Sequence, residues 1–114
     1  LQNCDNLTSP EVIAEDLTQL DLSNLKALTN PILKCDRLNA LNLADCVSLT
    51  DAALQRISVT CPRLQLVKLS GCSSLVRPEM VFEEGHLEEI DFSNCRSIKS
   101  LKVQSEALRL VNVT

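Results

Sequence analysis

Five windows of this chain carry the same spacing of apolar residues, and no other feature restricts its fold as strongly. They are Leu17-Thr18-Gln19-Leu20-Asp21-Leu22, Leu38-Asn39-Ala40-Leu41-Asn42-Leu43, Leu64-Gln65-Leu66-Val67-Lys68-Leu69, Leu87-Glu88-Glu89-Ile90-Asp91-Phe92 and Leu108-Arg109-Leu110-Val111-Asn112-Val113. The first, fourth and sixth positions are apolar in all five, against an overall hydrophobic content of 45%, which leaves no room for coincidence. Three residues beyond the first four windows stands Leu25, Cys46, Cys72 or Cys95, and three further on Leu28, Leu49, Leu75 or Ile98. A sixth, partial unit supplies Leu1, Cys4 and Leu7. Alternation within a window is the mark of a short strand with one buried face. One such strand cannot bury its own leucines, so successive units must stack and share an interior.

Counted on the sixth position, Leu1, Leu22, Leu43, Leu69, Phe92 and Val113 are 21, 21, 26, 23 and 21 residues apart, within the range of leucine-rich repeats. The expected fold is an α/β leucine-rich-repeat solenoid. A curved parallel β-sheet, its strands about 4.8 Å apart, forms the concave face, and short extended or helical returns form the convex face. The chain reads as a single domain over residues 1–114, with a partial repeat at 1–16 and repeats starting near 17, 38, 64, 87 and 108. Neither end carries a polar capping repeat, which marks the span as a piece of a longer solenoid.

The returns differ in kind. Leu7-Thr8-Ser9-Pro10-Glu11-Val12, Leu28-Thr29-Asn30-Pro31-Ile32-Leu33 and Ile98-Lys99-Ser100-Leu101-Lys102-Val103 are too short for a helix, and the first two are interrupted by proline. They predict extended backbone. In the 26-residue unit, Thr50 is a cap residue, Asp51 an acid in the first turn, and Leu54, Ile57 and Cys61 follow at helical spacing up to Pro62. That predicts a helix. In the 23-residue unit, Pro78 at a first helical position and Gly85 at the end predict a shorter helical turn around Val81 and Phe82.

Leucine carries the burial that aromatic rings usually share: the chain has 21 leucines and no Trp or Tyr. Eleven Lys and Arg against fifteen Asp and Glu give a net charge of −4, which argues against a phosphate-binding face and against nucleic acid as the partner. No apolar run approaches the roughly 20 residues of a spanning helix, and Leu1 to Pro10 lacks the layout of a signal peptide, so no membrane association is expected. Of the six cysteines, Cys4, Cys46, Cys72 and Cys95 share a slot that Leu25 fills in another unit, while Cys35 and Cys61 stand where other units carry Ala14, Glu84 and Ser105. A slot that takes leucine asks for burial rather than chemistry. Buried, reduced thiols follow, and with them a reducing compartment, cytoplasmic or nuclear. The cysteine spacing matches no zinc knuckle and the only histidine, His86, stands alone at a unit boundary, so no metal or other cofactor is expected. The sequons Asn6-Leu7-Thr8 and Asn112-Val113-Thr114 are the opposing signal for secretion. Asn112, however, falls in the middle of an expected strand.

Strand alternation sends the third and fifth window positions, with the residue after the sixth, onto the concave face. The third-position column reads Gln19, Ala40, Leu66, Glu89, Leu110; the fifth reads Asp21, Asn42, Lys68, Asp91, Asn112; the last reads Ser23, Ala44, Ser70, Ser93, Thr114. Candidate protein-binding residues are Asp21, Asn42, Leu66, Lys68, Glu89, Asp91, Leu110 and Asn112. Leu66 and Leu110 are apolar where the repeat does not cover them, and Glu89 and Asp91 border them with charge, the arrangement of an interaction hot spot. The plainer alternative is that both leucines are scattered surface residues. Glu83, Glu84, Glu88, Glu89 and Asp91 read as a solvated acidic face. Arg96, Lys99, Lys102 and Arg109 spread over several sides and make no anion site. With a lone histidine, two glycines and no carboxylate pair set apart from the repeat, no enzyme is expected.

Two stretches carry a family resemblance: Cys35-Asp36-Arg37-Leu38-Asn39-Ala40-Leu41-Asn42-Leu43-Ala44-Asp45-Cys46-Val47-Ser48-Leu49-Thr50-Asp51 and Cys61-Pro62-Arg63-Leu64-Gln65-Leu66-Val67-Lys68-Leu69-Ser70-Gly71-Cys72. They resemble the CPxLxxLxLxxCxxLTD consensus of the cysteine-containing leucine-rich repeats best known from F-box proteins, the substrate receptors of cullin-type ubiquitin ligases. The resemblance implies a non-enzymatic module that holds a protein partner on its concave face. It also implies a cullin-ligase adaptor, engaged through an F-box segment that these 114 residues do not include. Ser70-Gly71-Cys72-Ser73-Ser74-Leu75 is similar to the repeats of plant nucleotide-binding immune receptors, which would make the chain a ligand-sensing region instead. A third reading is a purely structural segment of a larger assembly.

Overall fold

The computed structural model describes residues 8–114. The partial unit of Leu1, Cys4 and Leu7 and the sequon at Asn6 lie outside the described residues. In chain order the elements are β1 (Glu11–Ile13), β2 (Gln19–Asp21), β3 (Ile32–Lys34), β4 (Ala40–Asn42), α1 (Asp51–Thr60), β5 (Leu66–Lys68), β6 (Glu79–Val81), β7 (Glu89–Asp91), β8 (Lys102–Gln104) and β9 (Leu110–Asn112). Strands β2, β4, β5, β7 and β9 form one parallel sheet in that order. The chain is a parallel-strand solenoid with little helix, consistent with leucine-rich-repeat architecture.

Register confirms the repeat alignment residue by residue. Leu20 pairs with Leu41, Leu41 with Val67, Val67 with Ile90 and Ile90 with Val111. Each strand supplies the third to fifth window positions, and its central residue turns inward. The ladder continues past the strands. The amides of Leu22, Leu43, Leu69 and Phe92 donate to the carbonyls of Asn42, Lys68, Asp91 and Asn112 at 2.7–2.8 Å. The interior is one continuous cluster in which Leu38, Leu43, Leu64, Leu69 and Leu87 have no exposed surface. Burial here is a nearest-neighbour property: Ile90 is 1% exposed between two coils, whereas Val111, equivalent to it on edge strand β9, is 36% exposed.

The returns follow their lengths. Strands β1 and β3 pair in parallel, as do β6 and β8, and α1 packs on both β3 and β6. The helix forms where expected. Thr50 caps it in an extended conformation and accepts from the Ala53 amide at 3.3 Å. Cys61 closes it by donating its amide to the Ile57 carbonyl at 2.9 Å, ahead of Pro62. Asp51 also holds the next coil, its carboxylate accepting from the amides of Val76 at 3.1 Å and Arg77 at 3.0 Å.

The 23-residue unit corrects one expectation. No helical turn forms around Val81 and Phe82; residues Glu79–Val81 are strand β6. The Pro78 carbonyl accepts from the Lys102 amide at 3.1 Å and the Phe82 amide donates to the Gln104 carbonyl at 2.9 Å. Proline at the start of a strand loses no ladder donor there. Met80 points inward with no exposed surface while Glu79 and Val81 are only partly buried, an alternation of period two that a helix could not satisfy. Gly85, at φ +70°, closes the turn after Phe82 rather than a helix.

The cysteines are buried, as expected, but their slot has more chemistry than burial alone. Cys46, Cys72 and Cys95 donate their thiols to the carbonyls of Leu22, Leu43 and Leu69, each in the preceding coil, at 3.1, 3.1 and 3.0 Å. Cys35 and Cys61 make longer contacts, 3.7 and 3.6 Å, to the Val12 and Leu33 carbonyls. The two sets form thiol ladders along the solenoid. All five described cysteines are free, and all but Cys95 are fully buried. Burial raises the Cys46, Cys61 and Cys95 thiols above their ordinary range and pushes Cys72 up to about 12. Such thiols are protonated and poor nucleophiles.

Candidate functional site

All eight candidate residues lie on one face of the five-stranded sheet. Leu66, Glu89 and Leu110 stand side by side in register, as do Asp21, Asn42, Lys68, Asp91 and Asn112. A cavity of about 510 Å³ opens over β2, β4 and β5, bordered by Gln19, Asp21, Ala40, Asn42, Leu66 and Lys68. A smaller one of about 160 Å³ lies over β5, β7 and β9, bordered by Leu66, Lys68, Glu89, Asp91, Leu110 and Asn112. Leu66 and Lys68 border both hollows. The larger hollow is a product of Ala40, whose methyl group leaves space between Gln19 and Leu66.

Side-chain bonding divides the fifth-position column into two kinds of residue. Asp21, Asn42, Asp91 and Asn112 each accept, through Oδ1, the amide two residues ahead: Ser23 at 2.9 Å, Ala44 at 3.0 Å, Ser93 at 2.8 Å and Thr114 at 3.2 Å. These are Asx turns, and they steer the chain out of the strand. Three of the four turns then enter a left-handed residue: Asn24 at φ 63°, Asp45 at φ 60° and Asn94 at φ 58°. The coil with Lys68 has no Asx acceptor, and it carries Gly71, at φ 75°, in the left-handed position. Glycine makes that conformation free of strain where no side chain organises the turn. So four of the predicted contact residues are also structural, each with one oxygen committed to its own backbone, and Lys68 is the one the turn leaves unengaged.

Electrostatics follow this division. The Asp21 carboxyl is held below the usual carboxylate range, chiefly by hydrogen bonds from Ser23 and with a smaller contribution from the Lys68 charge. Lys68 has no ion-pair partner within 4.0 Å among the described residues. It stands between Asn42 on one neighbouring strand and Asp91 on the other. Glu89 is differently placed. Arg109 donates to its Oε1 at 3.1 Å and reaches the Glu88 carboxylate at 3.3 Å. Arg109 thus borders the face and bridges two acids through solvent-exposed ion pairs, a placement the sequence reading missed when it grouped this residue with scattered C-terminal cations. The signal was available: Arg109 follows a window's first leucine, the position of Glu88 in the preceding coil.

The two aliphatic candidates differ. Leu66 is half-buried between β4 and β7, whereas Leu110 is 54% exposed, partly because no further strand among the described residues covers β9. His86 is exposed in the turn and lies 3.6 Å from the Glu84 carboxylate. Among the described residues no group of His, Cys, Asp and Glu is arranged to hold a metal ion, and no helix is long and apolar enough to cross a membrane. No family model matches this chain.

Proposed function

We propose that the chain is a non-enzymatic interaction module that holds a protein partner on the strand face, and that it serves as the substrate-recognition part of an F-box-type ubiquitin ligase receptor. The observation that carries the first half is the run Leu66, Glu89, Leu110 in register beside Lys68, over two adjoining hollows. Aliphatic side chains two strands apart, roughly 10 Å, offer anchors for apolar groups of a partner. Lys68 and the second oxygens of Asp21 and Asp91 offer charges that choose which partner fits. Parallel strands fixed by backbone ladders and Asx turns hold these groups in place before binding, which lowers the entropy lost on association. The second half rests on the resemblance of residues 35–51 and 61–72 to cysteine-containing repeats.

The test is affinity capture with the tagged full-length protein, comparing the parent with a Lys68→Glu, Leu110→Lys double variant. Both side chains are exposed and neither takes part in an Asx turn, so circular dichroism should be unchanged. The captured partner should be lost from the variant while cullin-ligase subunits remain with it. Undiminished capture of the partner would remove this face as the binding surface. Capture of the partner without any cullin-ligase subunit would remove the ligase assignment alone.

A further inference from the structure

We propose a second docking surface on the convex side, in the groove between α1 and β6, suited to an extended peptide segment that alternates basic and apolar residues. The groove exists because one return is helical and the next is extended. A helix with its side chains is about 10 Å across, so α1 stands proud of β6. The cavity between them measures about 420 Å³, bordered on one side by Gln55, Ser58 and Val59 and on the other by Glu79, Val81 and Glu83.

Two independent features of this groove point to the same occupant. Val59 is 73% exposed, more than any other large apolar residue on the described surface, and Val81 faces it across the cavity. The charge is one-sided. Glu79, Glu83 and Glu84 border the groove, no basic residue does, and α1 has none in its last turn to offset the negative end of its dipole. Glu79 reaches Lys102 at 3.7 Å and Glu84 reaches His86 at 3.6 Å, but both pairs are solvent-exposed and weak.

An extended segment would lie along the surface of the groove between α1 and β6. Its lysines or arginines would stand beside Glu79 and Glu83, and its apolar residues against Val59 and Val81. Charge complementarity selects a basic segment over a neutral or acidic one. The groove lies across the core from the sheet face assigned to the main partner, so both sites can be filled together.

The experiment titrates the protein with a short fluorescein-labelled peptide of alternating lysine and valine, read by fluorescence anisotropy, with amide chemical shifts mapping the contact. Shifts are expected at Val59, Glu79 and Val81. Val59→Lys or Glu83→Lys should weaken binding about tenfold or more, a loss of roughly 1.4 kcal/mol. Asp36→Lys, which changes net charge as Glu83→Lys does but lies outside the groove, should leave it unchanged, as should Lys68→Glu. An equal loss in Asp36→Lys would show diffuse charge attraction and overturn the proposal. Equal binding of a glutamate–valine peptide, or shifts confined to β2, β4 and β5, would also overturn it. Peptide-free dimerisation abolished by Val59→Lys would reassign the groove to a second copy of the chain.

Discussion

Replacing Gly71 by alanine adds one methyl group at a turn where two separate penalties can be told apart. Gly71 sits at φ 75°, in the position held by Asn24, Asp45 and Asn94 in other coils. Asparagine and aspartate tolerate the left-handed region through local hydrogen bonding, and alanine does not, at a penalty of about 1–2 kcal/mol. The new Cβ would also press on Oδ1 of Asp45 in the preceding coil, while the Asp45 Cα stays at an ordinary 3.5 Å. That carboxylate is the tip of an exposed side chain, so it can turn aside into a poorer rotamer for about 0.5–1.5 kcal/mol. The backbone term is therefore the larger, and Gly71→Ala should lose roughly 2–3 kcal/mol in all. Equilibrium urea unfolding measures this, with an unchanged m-value showing that the same surface is exposed. The two terms separate in an Asp45→Gly background, which removes the carboxylate and keeps the left-handed backbone unstrained. There Gly71→Ala should lose only about 1–2 kcal/mol. The same loss in both backgrounds would refute the steric contact, and a loss below about 0.5 kcal/mol in the parent would refute the account of the turn altogether.

Cys72 makes an alkaline prediction. Its folded value of about 12 exceeds the ordinary 9.0, so the folded state keeps a proton that the unfolded chain releases. The corresponding stability is fully present below pH 9 and is lost as pH rises toward 12, by up to about 4 kcal/mol at the upper end. Thermal unfolding across that range should show a steeper decline in the parent than in Cys72→Ala; parallel curves would contradict the burial argument. Thr50→Ala removes the helix cap at Ala53 and the bonds to the Thr29 carbonyl at 3.2 Å and Asn30 Oδ1 at 2.8 Å. It should lower stability by about 1–2 kcal/mol with a loss of far-ultraviolet helical signal, and Thr50→Ser should recover most of both.

How much could be read in advance varied with how far each signal reached along the chain. The windows around Leu20, Leu41, Val67, Ile90 and Val111 were legible because their alternation is local and is repeated in every coil. The helix at Asp51–Thr60 was legible because its cap, its spacing and its stop all lie within one segment. The segment around Glu79 was not. Pro78 and Gly85 fit a helical turn as well as a strand bounded by a turn, and the choice was made by β8, whose backbone lies more than twenty residues away. Likewise the eight face residues were correctly placed on one surface by alternation. Their division into turn-forming Asx residues and an unengaged Lys68 depended on bonds that composition does not reveal, although the paired change to Lys68 and Gly71 in one coil was its trace.

The sequence alone determined that aliphatic side chains recur at intervals only stacked coils can bury, and which positions point outward from the strands. Hydrophobic burial on a short strand is nearly a one-dimensional code, since each residue's face follows from its parity. Only the tertiary structure decided that β6 is a strand, that each ladder thiol donates to a backbone carbonyl of the preceding coil, that Arg109 bridges Glu88 and Glu89, and that a groove opens beside α1. Each of these is set by contact between neighbouring coils rather than by the order of residues within one coil.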